Sequence, residues 1–272
     1  MNTVICLGHK ACDIGELFEK SFQVKLIDID IEGENCFSLT RQKTPEDYEK
    51  NVPRMDSFFN DISDDVLFIT SSDSDAVSCS LKILEQIKHK NISIVYLRSD
   101  RSFLTSRGVM VDRVVFNVLQ EYTRSGLFKN IFLIDETQMD AFVSESAIEQ
   151  YYETYLKFVR DMILNYISTK TEAVIDYNIM PAEVERIATF AVYSLADDTE
   201  TALYNINLIN TKNYHFFLTE DTLKNDKKIM RSIKEKIKNK AVDNTRVSYT
   251  IRGTSAKTDY CFVVYYSKAI SQ

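Results

Sequence analysis

The stretch VLFITSSDSDAVSCSLKILEQIK, Val66 to Lys88, reads as a strand, a short polar turn and an amphipathic helix. In α/β proteins such a junction often holds a phosphate, because the first N–H groups of the helix point into the turn. A phosphate loop uses glycine, so that the backbone can come close, and it avoids negative charge. The turn here, SSDSDAVS over Ser71 to Ser78, has no glycine and carries Asp73 and Asp75. Those carboxylates suit the helix N-terminus themselves, as caps and as charges that oppose the helix dipole. The plain reading is a strand–helix unit of an α/β sheet with a self-capped turn. A triphosphate would meet like charge where it needs bare donors.

Outward from this unit the same grammar repeats. Thr3–Gly8, Val24–Ile31, Ser93–Ser99 and Asn130–Asp135 are further strand-like runs. Helices are expected over Ile14–Lys20, in one or two pieces over Thr44–Asn60, from Asp75 to Lys88 and over Val111–Ser125. Thr44 is placed to cap with Pro45 at the first helical position. In the last of these helices Val114, Val115, Val118, Leu119 and Tyr122 recur at helical spacing, and Gly126 stands where a left-handed cap ends a helix. Strands separated by helices predict a parallel, doubly wound sheet.

A long helix follows, Ser146–Ile167, with Ile148, Tyr152, Tyr155, Leu156, Val159, Ile163 and Tyr166 along one broad stripe. After it the composition turns to β-branched and aromatic runs: Glu185–Leu195, Thr201–Ile209, Tyr214–Thr219, Val247–Arg252 and Tyr260–Ser267. A basic helix is expected among them at Leu223–Lys240, with eight Lys or Arg against two acids. The expected architecture is α/β: a Rossmann-like parallel-sheet domain over 1–145, a central helix over 146–168 and a smaller α+β domain over 169–272.

That order resembles the tubulin/FtsZ family. ICLGHKACDIGELF, Ile5 to Phe18, sits where the family has its first strand, glycine-rich turn and first helix, a GxGGxGxN-type segment. VVFNVLQEYTRSGLFKNIFLIDE, Val114 to Glu136, looks like a helix and strand of divergent, phage-type members, and the helix from Ser146 like the central one. The resemblance implies GTP bound through several loops, head-to-tail assembly, and hydrolysis driven by acids from a neighbouring subunit. Its GGGTGTG-type loop falls on Ser71–Ser78 and is missing. Its acid loop falls on Ile167–Pro181, where Glu172 and Asp176 are the only acids and the family pattern is not recognisable. The expected role is therefore assembly or scaffolding without a catalytic residue, cofactor or metal. A vestigial pocket would comprise Gly8, Lys10, Gly15, Ser71, Ser72 and Ser74. A GTP-dependent filament resting on Gly8, Lys10 and Gly15 is the first alternative.

A dinucleotide enzyme is the second, with Asp28 or Asp30 at the end of VKLIDIDI holding a ribose hydroxyl. No GxSxG or HExxH spacing is present, and His9, His89 and His215 are far apart. Five scattered cysteines without a CxxC pair argue against zinc and for reduced thiols. A net charge of −7 argues against nucleic acid as the main partner. The basic helix 223–240 is instead a candidate contact for an acidic protein surface, a sister subunit first, with nucleic acid or anionic lipid as rivals. No signal-peptide pattern or bilayer-length apolar run is seen, so a cytoplasmic protein is expected.

Overall fold

Short apolar runs separated by helices give a sheet buried on both faces, and this chain follows that rule. The computed structural model describes residues 3–18, 21–143, 146–169, 173–242 and 244–271. They fall into two units, 1–161 and 162–271.

The first unit contains strands β1 (Thr3–Leu7), β2 (Gln23–Ile29), β3 (Cys36–Leu39), β4 (Asp65–Ser71), β5 (Asn91–Arg98) and β6 (Asn130–Asp135). They lie in the order β3-β2-β1-β4-β5-β6, each pair parallel. This is the doubly wound order, in which the direction of winding reverses between β1 and β4. Ile5, Phe68, Ile69, Tyr96 and Leu133 are fully buried at its centre. The helices are α1 (His9–Glu16), α2 (Pro45–Lys50), α3 (Ser80–Gln86), α4 (Ser106–Arg124), α5 (Glu136–Val143) and α6 (Ile148–Ser168). The division between the units falls inside α6.

Several boundaries differ from those expected. Helix α1 begins at His9 and not at Ile14, because Gly8, at φ 93°, turns the chain directly out of β1. The end of the expected helix, Glu19 and Lys20, lies outside the described residues. The helix expected from Asp75 opens as a 3₁₀ turn over Asp75–Cys79 before α3. Helix α4 starts at Ser106, where Thr105 accepts a hydrogen bond from the Gly108 N–H at 3.0 Å. A glycine in the first turn had masked that start. Thr44 caps α2 as expected, accepting from the Asp47 N–H. Gly126 also behaves as expected: at φ 90° it closes α4, with the Leu127 N–H reaching the Tyr122 carbonyl at 3.0 Å.

Gly15 is not a loop residue. It lies in the last turn of α1, where an added Cβ would stand 2.6 Å from Cys6 Sγ and 2.7 Å from Leu26 Cδ2. The helix thus presses on β1 and β2 through a missing side chain. Gly15→Ala gains helix propensity of about 1 kcal/mol but overpacks the core, which usually costs ~1–3 kcal/mol. We expect a lower urea midpoint, largely restored by the pair Gly15→Ala/Cys6→Ala. A midpoint unchanged in the single variant would show that the helix can lift without cost.

The second unit contains β7 (Ile175–Tyr177), β8 (Ile187–Ser194), β9 (Thr199–Ala202), β10 (Thr211–Thr219), β11 (Arg246–Thr254) and β12 (Tyr260–Ser267). Its sheet runs β8-β12-β10-β11-β7, with β9 on β8. All pairs are antiparallel except β10 with β11. Parallel neighbours need a crossover, and here it holds α7 (Glu220–Asn225) and α8 (Ile229–Lys238). The single basic helix expected over 223–240 is therefore two. Asp226 divides them, its carboxylate accepting from the N–H groups of Lys228 and Ile229 at 2.8 and 3.1 Å. Ile233 and Ile237 of α8 pack on Tyr214, Phe216, Ile251 and Val263. No helix among the described residues is long and apolar enough to cross a membrane.

Candidate functional site

In a doubly wound sheet, ligands bind outside the carboxyl ends of the strands, at the point where the winding reverses. Here that point lies between the turn leaving β1 and the turn leaving β4. The sheet brings Gly8, Lys10, Ser71, Ser72 and Ser74 to this end. Gly15, in the last turn of α1, is roughly 10 Å along the helix axis from them.

The two turns touch. A Cβ on Gly8 would lie 2.8 Å from Ser74 Cβ and 3.2 Å from its hydroxyl, so Ser74 fills the space beside the glycine. The Ser74 hydroxyl caps the 3₁₀ turn, accepting from the Ala76 N–H at 3.2 Å, and stands 3.5 Å from Asp28 Oδ1 at the end of β2. The Val77 N–H is taken by the Ser74 carbonyl. Ser71 and Ser72 face β5 instead: Ser72 Oγ accepts from the Ser99 N–H at 2.8 Å, and Ser71 Oγ lies 3.5 Å from Ser99 Oγ. On the β4 turn the N–H groups of Ser72, Ala76 and Val77 are spent inside the protein.

Lys10 is a cation at this end of the sheet, and it is nearly buried. Its ammonium lies 3.3 Å from Asp73 Oδ2 and pairs with Glu136 Oε1. The second oxygen of Glu136 accepts from the Asp100 N–H at 3.3 Å. The Tyr155 ring of α6 stands 5.7 Å from the ammonium. Burial first, then the Glu136 and Asp73 carboxylates, push the Tyr155 hydroxyl well above its ordinary value. Tyr152 donates to Asp13 at 2.6 Å, and burial and that carboxylate push its hydroxyl up likewise. Asp28 is also pushed up, by burial, against hydrogen bonds from Ile29 and Ser74. One lysine thus stands among several carboxylates, the reverse of a phosphate cradle.

One element of a phosphate site survives. Gly8 is the N-cap of α1 and supplies no side-chain hydrogen bond to its first turn. Of the dinucleotide candidates, Asp28 faces Ser74, and Asp30, at φ 62°, pairs with Arg41 at 2.8 Å on the surface. Among the described residues no group of three or more His, Cys, Asp or Glu could hold a metal ion. Cys6, Cys12, Cys79 and Cys261 are in no disulfide. Asp176 lies on β7, and Glu172 lies outside the described residues. No local signal marks Glu136 as the partner of Lys10, since 126 positions separate them.

The second unit carries a separate cleft of ≈ 850 Å³ between β7, β11 and α8. Tyr177, Ile179 and Met180 are exposed on it, and Lys234 and Lys238 of α8 stand at its edge. The Tyr177 and Tyr249 rings stack across its floor at 5.2 Å.

No model of a protein family matches the chain, and no curated protein sequence does. Solved structures do match. CetZ from Methanosaeta thermophila superposes with a TM-score of 0.69 at 11% identity, over 97% of this chain and 85% of that one. A protofilament of TubZ from Bacillus thuringiensis serovar israelensis, in its GTPγS form, gives 0.65 at 12% identity over 98% and 86%. An FtsZ dimer from M. jannaschii gives 0.64 at 11% identity over 97% and 87%. The fold is that of tubulin and FtsZ, as the layout of the sequence implied, and the dinucleotide-enzyme reading is not favoured.

Proposed function

We propose that this chain, which has the tubulin/FtsZ fold, works by self-assembly or as a scaffold and does not depend on GTP hydrolysis. One observation carries the reading. At the winding reversal Ser74 fills the space beside Gly8, and Lys10 is neutralised by Asp73 and Glu136. A triphosphate would have to displace both carboxylates from the lysine and pay for their desolvation against its own charge. The solved structures described as a dimer and as protofilaments support an assembling role. Charge gives the direction: the carboxylates beside Lys10 are acidic, and the cleft of the second unit has two lysines, Lys234 and Lys238, against one carboxylate, Asp176. One copy would set its basic cleft against the acidic sheet end of the next.

A second reading keeps GTP, and the uncapped first turn of α1 at Gly8 favours it. The two separate by experiment. Ligand at a hundredfold its dissociation constant stabilises a protein by about 2.7 kcal/mol. We expect no thermal shift with millimolar GTP, GDP or ATP, with or without magnesium. We also expect association that rises with protein concentration and weakens with salt. Lys234→Glu/Lys238→Glu should raise the dissociation constant about tenfold or more, the worth of roughly 1.4 kcal/mol. Stabilisation by guanine nucleotides, with pelleting only in their presence, would replace this reading with the GTP-dependent filament.

A further inference from the structure

The opening turns of α6 carry a face that their own unit does not use. Ile148 is 95% exposed, the most exposed large apolar side chain among the described residues. Tyr152, one turn on, is also exposed, with its hydroxyl held by Asp13. Beside this pair, roughly 100° round the helix, stand Glu149 and Glu153, both exposed. Among the described residues Glu149 is in no ion pair, and Glu153 meets only the exposed Lys157. A carboxylate in a first turn suits the helix dipole. The dipole asks nothing of Ile148, and a helix surface that meets only water carries polar residues. This face is half apolar and half acidic. Through the bond from Tyr152 to Asp13, and with Tyr155 beside Lys10, it belongs to the acidic end of the sheet.

The cleft of the second unit has the opposite composition. Tyr177 and Tyr249 floor it, the exposed Ile179 and Met180 line it, and Lys234 and Lys238 stand one turn apart on α8. Neither lysine is in an ion pair among the described residues. Asp176, the carboxylate that lines the cleft with them, already accepts the Asn178 N–H at 2.8 Å. On each helix the two charges are four residues apart, about 6 Å along the axis. Two carboxylates and two ammonium groups at one spacing can face each other pair by pair, while Ile148 and Tyr152 meet the apolar floor. An apolar centre with an aromatic anchor and charges at its rim is the usual build of an interface.

We propose that the opening turns of α6 of one copy dock in the cleft of the next, Ile148 and Tyr152 on its tyrosine floor and Glu149 and Glu153 on Lys234 and Lys238. This rests on the head-to-tail reading above and names the part of the acidic end that makes the contact. The carboxylates around Lys10 then stay with the lysine. The two patches are different surfaces, so the contact is heterologous: each copy added leaves a free patch, and the assembly does not close at two.

The test is sedimentation of the full chain over a range of concentrations. Glu149→Lys/Glu153→Lys should weaken association about tenfold or more, as should Lys234→Glu/Lys238→Glu, because each sets like charges face to face. Mixed in equal amounts, the two variants should assemble about as well as the natural chain, since every contact then pairs opposite charges. Ile148→Ser, which takes almost nothing from the chain's own packing, should weaken association several-fold. All these side chains are exposed, and a matched urea midpoint shows that each variant folds. Undiminished association of Glu149→Lys/Glu153→Lys, or a mixture that stays apart, would overturn the proposal. If Lys234→Glu/Lys238→Glu still weakened association in that case, the head-to-tail reading would survive with another part of the acidic end in the cleft. A natural chain that stays monomeric at every concentration would overturn both. So would a cleft that takes an acidic segment of another protein while the chain itself stays monomeric.

Discussion

Replacing Asp112 by alanine is expected to lower the unfolding free energy by about 3–5 kcal/mol, the usual result of breaking a buried ion pair from one side. The Asp112 carboxylate has no exposure at all. Its Oδ1 accepts from the Tyr96 hydroxyl at 3.0 Å. Its Oδ2 accepts from Arg101 through Nε at 3.1 Å and Nη2 at 2.9 Å, and lies 3.4 Å from Arg98 Nε. The two arginines differ in what they can do once the carboxylate is gone. Arg101 is part exposed and can turn to water, whereas Arg98 is buried under the Phe116 ring, 4.2 Å from its centroid. The penalty therefore falls more on Arg98, which cannot reach water as Arg101 can, and on the buried Tyr96 hydroxyl, which loses its acceptor. Asp112→Asn, which keeps the shape and one acceptor, should cost less. The double variant Asp112→Leu/Arg98→Met should recover much of the loss, since a buried pair replaced by apolar groups is often neutral. Urea titrations of these proteins, and of Asp112→Leu and Arg98→Met alone, read this directly. Additive losses in the double variant would show that the two side chains act apart.

The same cluster shows where sequence reasoning stops. Asp112 lies among the residues that make α4 look amphipathic, and an acid on the buried face contradicts the helical pattern. Nothing local signals that Tyr96, Arg98 and Arg101 converge on it, because that depends on how β5 and α4 pack. The parallel sheet was legible because VICL, VLFIT, SIVYL and IFLI are continuous apolar runs, which a two-sided buried sheet requires. Strand β3 was not, being four residues beside acids and glycine. The start of α1 was hidden because GHKACD reads as a turn, yet Gly8 redirects the chain in one residue. At the candidate site the order of strands sufficed to bring Gly8, Lys10 and Ser74 together. The contacts that decide its chemistry were not legible: Ser74 meets Asp28 across 46 positions, and Lys10 meets Glu136 across 126. Both depend on side chains reaching between turns, which spacing along the chain does not encode.

Acid should unfold the second unit earlier than its carboxylates alone require, through His215. The ring is 4% exposed on β10, between Thr250 of β11 and Phe262 of β12. It stacks on Phe262 with centroids 4.9 Å apart, and Nδ1 lies 2.9 Å from Thr250 Oγ1. Arg252 Nη1 donates to that same hydroxyl at 2.6 Å, which turns the hydroxyl proton toward His215. The imidazole is thus held neutral, with Nδ1 as acceptor. A proton on Nδ1 would remove the acceptor and place a second cation beside Arg252. Burial first, and then the Arg252 charge, lower its pKa to about 3. The sign follows from linkage. The unfolded chain takes up the proton near pH 6.5 and the folded chain does not, so the stabilisation is complete above about pH 6.5 and drains away as pH falls toward about 3. Between pH 7.5 and 4.5 this amounts to roughly 2–3 kcal/mol. Asp61, Asp64 and Asp198, held below the usual carboxylate range by hydrogen bonds from Lys25, from Lys90 and from Tyr193 with Lys240, lose their contributions only in stronger acid. His215→Asn keeps an acceptor near the Thr250 hydroxyl without a titrating group. It should be less stable than the natural protein at pH 7.5, through lost stacking and volume, but should lose far less between pH 7.5 and 4.5. Parallel pH dependences for the two proteins would mean that the buried imidazole reaches solvent before the sheet opens.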